Sequence, residues 1–136
     1  MTQTQKQKML AGELYSPVDA EIQADQLAAS VWMKRFNATL GEPPARWHAL
    51  LQERLADVGA GAIIRPPFHC DYGYNISLGA GVFLNFNCVI LDVVRVTIGE
   101  GTQIGPAVQI YTADHPRDPV QRREMLEFGR PVHIGR

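Results

Sequence analysis

The chain has 136 residues, enough for one domain with a modest core, and its 46% hydrophobic and 20% charged content is that of an ordinary globular protein. A formal net charge of −1 without any Lys/Arg run argues against a nucleic-acid surface. The opening MTQTQKQKML lacks an apolar stretch of signal-peptide length and no later segment is long enough to span a bilayer, so a cytoplasmic location without a membrane partner is expected.

Residues 1–57 read as a helical cap. A short polar helix over 3–12 is closed by Gly12. Asp19 is placed to cap a longer helix whose apolar face is Ile22, Leu27, Val31, Trp32 and Phe36. A third helix begins around Pro43-Pro44 and carries Trp47, Leu50, Leu51, Leu55 and Val58. These faces are packing surfaces, and their task would be to cover the first coil of the solenoid that begins at Val58.

Residues 58–136 carry an apolar ladder with a six-residue step. Val58, Ile64, Cys70, Ile76, Val82 and Cys88 form one rail, and Leu78, Leu84 and Ile90 a second. After a two-residue insertion they resume as Val96, Thr102, Val108 and as Ile98, Ile104, Ile110. Neither a flat sheet nor an α-helix has this period, whereas a parallel β-helix does, so the fold class is mainly β with an α-helical cap. The spacing of Cys70 and Cys88 predicts inward neighbours on adjacent coils, unpaired and reduced. Gly79, Gly99 and Gly105 follow inner aliphatic residues where the chain must bend. The period stops over 112–130, read as an extruded loop, and returns at Val132 and Ile134, in phase with Val108 and Ile110. A ladder restarting so near residue 136 is expected to leave an apolar last coil, covered by another chain or belonging to a shortened form of a longer protein.

The chemistry-bearing candidates lie near the corners. His115 sits in the extruded loop beside Asp114 and Pro116; a lone loop histidine is usually just solvated, though functional loops often stand on rigid scaffolds. Asn85 occupies a corner where glycine is otherwise used, so it either tolerates the bend or has a polar role. Asp71 and Asp92 are read as outward carboxylates. Asn85 belongs to a different corner from Asp71, so a site using both would draw on neighbouring subunits.

The runs KMLAGELY (8–15), RPPFHCDYGYNI (65–76), LNFN (84–87) and YTADHP (111–116) resemble the maltose and galactoside O-acetyltransferases, over nearly the whole chain and in order. That resemblance implies a left-handed parallel β-helix, a homotrimer with sites between subunits, and acetyl-CoA as donor with no metal. It implies His115 as general base toward a sugar hydroxyl, Asn85 in the acceptor pocket, Glu127 steadying His115, and Phe83 as an aromatic platform. Asp71 and Asp92 would line the acceptor site; Asp19 stands two residues beyond an acceptor-contacting position held here by Pro17, and is equally an N-cap. Val93 replaces a second acceptor-contacting Asp, which points to the maltose-type branch or another acceptor. Family members continue past the equivalent of Ile134-Gly135 with coils that hold the CoA arm, so an incomplete donor site is expected. The competing readings are a non-catalytic assembly module and a zinc carbonic anhydrase, the latter needing three converging histidines from His48, His69, His115 and His133.

Overall fold

The computed structural model describes residues 2–136. Helix α1 (Gln5–Leu10) starts at Thr4, whose hydroxyl accepts from the Gln7 amide while the Gln7 side chain accepts from the Thr4 amide. Gly12, at φ +79°, turns the chain out of it. Helix α2 (Ala20–Asn37) is capped by the Asp19 carboxylate, which accepts from the Glu21 and Ile22 amides. Helix α3 (Pro44–Arg54) has proline at its first turn, where the missing N–H costs no helical bond. No helix among the described residues is long and apolar enough to cross a membrane.

The buried stripe of α2 is Ile22, Ala29, Trp32 and Phe36, whereas Leu27 and Val31 are exposed. At 3.6 residues per turn those two lie roughly half a turn round from Ile22, so they cannot share its face. Trp32 stacks on Phe36 at 5.1 Å between ring centroids, and Phe68 from the first coil meets both edge-on. The indole of Trp32 donates to the Leu50 carbonyl at 2.8 Å, tying α2 to α3. Asn37 reaches the first coil directly: its amide donates to the Phe68 carbonyl at 3.0 Å and accepts from the Phe68 amide at 2.7 Å. The cap thus satisfies backbone groups of an edge strand that no preceding coil covers.

The coil is triangular, one short strand to a side. Its first turn is β1 (Asp57–Val58), β2 (Ile63–Ile64) and β3 (Phe68–Cys70). The second is β4 (Ile76–Leu78), β5 (Phe83–Leu84) and β6 (Cys88–Leu91), and the third β7 (Val96–Ile98), β8 (Gln103–Ile104) and β9 (Gln109–Tyr111). All stack in parallel, as Asp57 on Ser77, Ile63 on Phe83 and Phe68 on Cys88, so one turn takes 20 residues and not three hexads. The two extra residues enter at the corner after the third strand of each turn. Repeated hexads conceal this because β4 and β7 each turn both ends inward: Ile76, Leu78, Val96 and Ile98 are all buried.

Two expectations are corrected by that period. Cys70 stacks on Ile90 and Cys88 on Phe68, so the cysteines are not neighbours on the ladder, although both are free and buried. Nor do Gly79 and Gly99 supply unusual backbone angles. A Cβ on Gly79 would stand 2.7 Å from the Glu100 amide nitrogen of the coil above, so these glycines permit close stacking. The left-handed positions come two residues later, at Gly81 and Gly101, and at the next corner on Asn87.

After β9 the chain leaves the coil through β10 (Ala113–Asp114), α4 (Pro119–Arg123) and β11 (Phe128–Gly129), and rejoins it as β12 (Val132–Ile134). The excursion is a structured ribbon, β10 pairing antiparallel with β11. Val132 stacks on Val96, not above Val108; the return is on the side of the triangle formed by β1, β4 and β7. One hydrophobic core runs from Trp32, Phe36, Leu50 and Leu51 of the cap down the coil to Ile104 and Ile110. A second, smaller cluster joins Met9, Tyr15, Ile22, Tyr72 and Val93.

Candidate active site

The wide corner that follows each third strand gathers most of the titratable candidates. Asp92 is there, but inward: it is 0% exposed, and its carboxylate accepts from the amides of Tyr72 at 2.9 Å, Gly73 at 2.8 Å and Asn75 at 3.2 Å. The expectation of an outward carboxylate therefore fails. The two extra residues let the chain tuck a side chain beneath the amides of the preceding turn. Burial pushes the Asp92 carboxyl up to about 7 against the pull of those amides. Thr112 repeats the device one turn later, accepting from the Val93 amide at 3.0 Å and donating to the Leu91 carbonyl at 2.6 Å. Val93 is buried in the cluster beside Tyr15.

Asp71, in the equivalent corner of the first turn, stays half-buried at the surface. Desolvation, with the Glu127 carboxylate nearby, pushes its pKa up to about 6. Glu127 lies just before β11, and its Oε2 accepts from the Tyr15 hydroxyl at 2.6 Å. Tyr15 and Glu127 also exchange backbone hydrogen bonds, at 2.9 and 3.0 Å, as an antiparallel bridge. Burial and the Glu127 bond hold the Tyr15 phenol far above the usual tyrosine range.

His115 is exposed at the end of β10, with Pro116 buried behind it. Its amide donates to Asp114 Oδ1 at 2.7 Å and its carbonyl accepts from Arg117 at 2.9 Å, which fixes the backbone that carries the ring. Those contacts, the His115 amide first and then the Arg117 guanidinium at 3.0 Å, hold the Asp114 carboxyl below the usual range. The ribbon pairs Ala113 with Gly129 and Asp114 with Phe128, so His115, next after Asp114, and Glu127, next before Phe128, lie at the same end of the ribbon. The side-chain hydrogen bond of Glu127, however, goes to Tyr15.

Asn85 follows β5 at another corner. Its Oδ1 accepts from Arg65 at 3.0 Å and from the Phe86 amide at 2.9 Å, and the Arg65 guanidinium lies 4.8 Å over the Phe86 ring. Phe83, half-buried in β5, is on the side leading to this corner. Within one chain Asp71 and Glu127 come close, and His115 lies at the ribbon end that carries Glu127, whereas Asn85 and Phe83 stand at another corner. Asp19 is engaged as the α2 cap. His48 bonds the Ala62 carbonyl, His133 bonds Thr97, and among the described residues no three His, Cys, Asp or Glu side chains converge as a metal site.

Two participants escape a reading of the sequence alone. Tyr15 looks like any aromatic residue after a short helix, and its partner is 112 residues away. Arg65 could have been matched to Asn85 only by knowing the 20-residue turn.

Comparison with known proteins is consistent along the chain. Residues 8–59 match the maltose acetyltransferase hexapeptide capping motif. Nodulation protein L of Rhizobium meliloti (strain 1021) is 67% identical over 136 residues, covering 100% of this chain and 74% of its own length. A maltose O-acetyltransferase from Clostridium difficile 630 superposes with a TM-score of 0.92 at 34% identity, over 99% of this chain and 75% of that one. A hexapeptide-repeat acetyltransferase of Vibrio cholerae O1 biovar eltor, complexed with acetyl coenzyme A, gives 0.82 at 34% identity, over 98% and 75%. With its capping motif, triangular coil and extruded ribbon shared along its length, the chain belongs to the maltose and galactoside O-acetyltransferase family of hexapeptide-repeat acetyltransferases, whose coil is a left-handed parallel β-helix.

Proposed function

We propose that this chain transfers the acetyl group of acetyl-CoA to a hydroxyl of a maltose- or glucose-type saccharide, with His115 as general base. The observation that carries the reading is the setting of His115: an exposed residue whose backbone is pinned by Asp114 and Arg117, at the ribbon end that also carries Glu127. Imidazole accepts protons at neutral pH, and a base whose backbone is already pinned loses little freedom when a substrate arrives. The acetyl-CoA complex of the Vibrio cholerae relative supports the donor.

In this mechanism the ring nitrogen of His115 takes the proton of the sugar hydroxyl as its oxygen attacks the thioester carbonyl. The tetrahedral intermediate then expels the CoA sulfur, which takes the proton back from the imidazolium. No acyl-enzyme is formed, and the buried Cys70 and Cys88 take no part. Asp71 is suited to accept a hydrogen bond from the acceptor, and Phe83 to offer a sugar an apolar face. Asn85 reaches such a site only from a neighbouring copy, so the working unit in this proposal is a homotrimer. Asp92 and Asp19 have no part in it, being engaged by backbone amides. A reducing, cytoplasmic setting suits the donor and the free thiols.

The test is CoA release from acetyl-CoA, followed with a thiol reagent, with maltose, glucose and a thiogalactoside as acceptors. Sugar-dependent release is expected, falling by about 10²–10⁴-fold in His115→Ala. Release that ignores the sugar, or survives the substitution, would overturn the assignment.

A further inference from the structure

Tyr15 lies in the arm between α1 and α2, outside both the coil and the ribbon, yet it is 1% exposed. Its ring is fixed among Met9, Ile22, Tyr72 and Val93. From that setting its hydroxyl meets Glu127 at 2.6 Å, while its backbone pairs with the same residue in both directions. Glu127 is thus bridged to Tyr15 on one side and, on the other, precedes Phe128, whose ribbon partner Asp114 is followed by His115.

We propose that Tyr15 is a positioning residue for acetyl transfer: it holds the Glu127 carboxylate from the cap side so that Glu127 orients the imidazole of His115 from the ribbon side. This rests on His115 being the general base. A carboxylate has two oxygens and about four acceptor directions. The phenol takes one of these on Oε2, which fixes the carboxylate plane and leaves Oε1 for the ribbon. The donor is needed because the Asp71 carboxylate stands close to Glu127, and like charges would swing an untethered glutamate away. Tyr72 is the other titratable group on that side; Asp114 and Arg117 flank His115 from the ribbon. The helical cap therefore takes part in the site, through one hydroxyl.

The test compares Tyr15→Phe, which keeps the ring and removes only the hydroxyl, with Glu127→Gln. Gln5→Ala serves as the control: it breaks a different bond of the same arm, from Gln5 to the Ser16 amide at 2.7 Å. In Tyr15→Phe, kcat should fall about tenfold with KM for acetyl-CoA within about twofold, the signature of a lost charge-assisted hydrogen bond acting on the base. Gln5→Ala should keep the wild-type kcat. Long-range 15N–1H spectra of the uncomplexed protein supply a readout that needs no turnover. His115 should show one ring tautomer in the wild type and a mixture in both Tyr15→Phe and Glu127→Gln. A Tyr15→Phe protein with wild-type kcat, or with an unchanged His115 ring spectrum beside an altered one in Glu127→Gln, would overturn the proposal. If the wild type transfers no acetyl group, the general-base reading falls, and the ring spectra still decide whether Tyr15 governs His115.

Discussion

The Asp92 carboxylate accepts from three amides, those of Tyr72 and Gly73 buried and that of Asn75 partly so, and exchanging one oxygen for a donor sets N–H against N–H. Asp92→Asn keeps the shape of the side chain and still leaves at least one amide without an acceptor. It should lower stability by about 2–4 kcal/mol in urea unfolding, the cost of a buried unmet donor plus a lost charged acceptor. Were Asp92 a solvated acceptor-site residue, the same change would leave stability within about 0.5 kcal/mol. At this scale the sequence was legible where a residue's setting is local. The interrupted ladder marked the loop that carries His115, and Asp19 before an apolar run marked a cap. It was not legible for Asp92, because a corner widened by two residues reverses the side on which a given position points.

At the scale of strands and corners, glycines separated by two positions do different work. Gly79 lies under the backbone of the next turn, where a Cβ would come within 2.7 Å of the Glu100 nitrogen, whereas Gly81 faces open space at φ +67°. Gly81→Ala should therefore cost about 1–2 kcal/mol, the strain of a left-handed residue. Gly79→Ala should cost more, because a backbone clash cannot be relieved by a rotamer change. Thermal melts of the two variants measure the order, and a reversed order would assign bending, not stacking, to Gly79. The apolar rails were readable since each strand buries the same kind of side chain. The length of a turn was not, because β4 and β7 bury both ends and let a six-residue step continue unbroken across a wider corner. The exposed Leu27 and Val31 on α2 show the same ambiguity in the cap, where several apolar residues compete for one stripe.

For the whole molecule, the decisive fact is that Asn85 and His115 stand at different corners of one triangle. In the proposed trimer each site takes its histidine from one subunit and its asparagine from the next. His115→Ala and Asn85→Ala should each be nearly inactive alone, yet mixing the unfolded chains in equal amounts and refolding them should restore activity. The recovery should reach about a quarter of wild type, the statistical share of sites that draw both intact residues from different variants. Zero recovery, with mixed trimers verified by mass, would mean that both residues act within one subunit.

The ribbon leaves the coil at the same wide corner that already holds two surplus residues in the turns below, and Val132 nonetheless settles on Val96 in register. That corner behaves as an insertion port. Chain of almost any length can be threaded out there and drawn back without disturbing the stack, since the strands on either side are aligned by the turn beneath and not by the connection between them. A lineage of such proteins is then free to vary the ribbon, and with it the surroundings of the base, while the coil stays constant. New acceptor preferences could arise by exchanging one loop, at little risk to the fold.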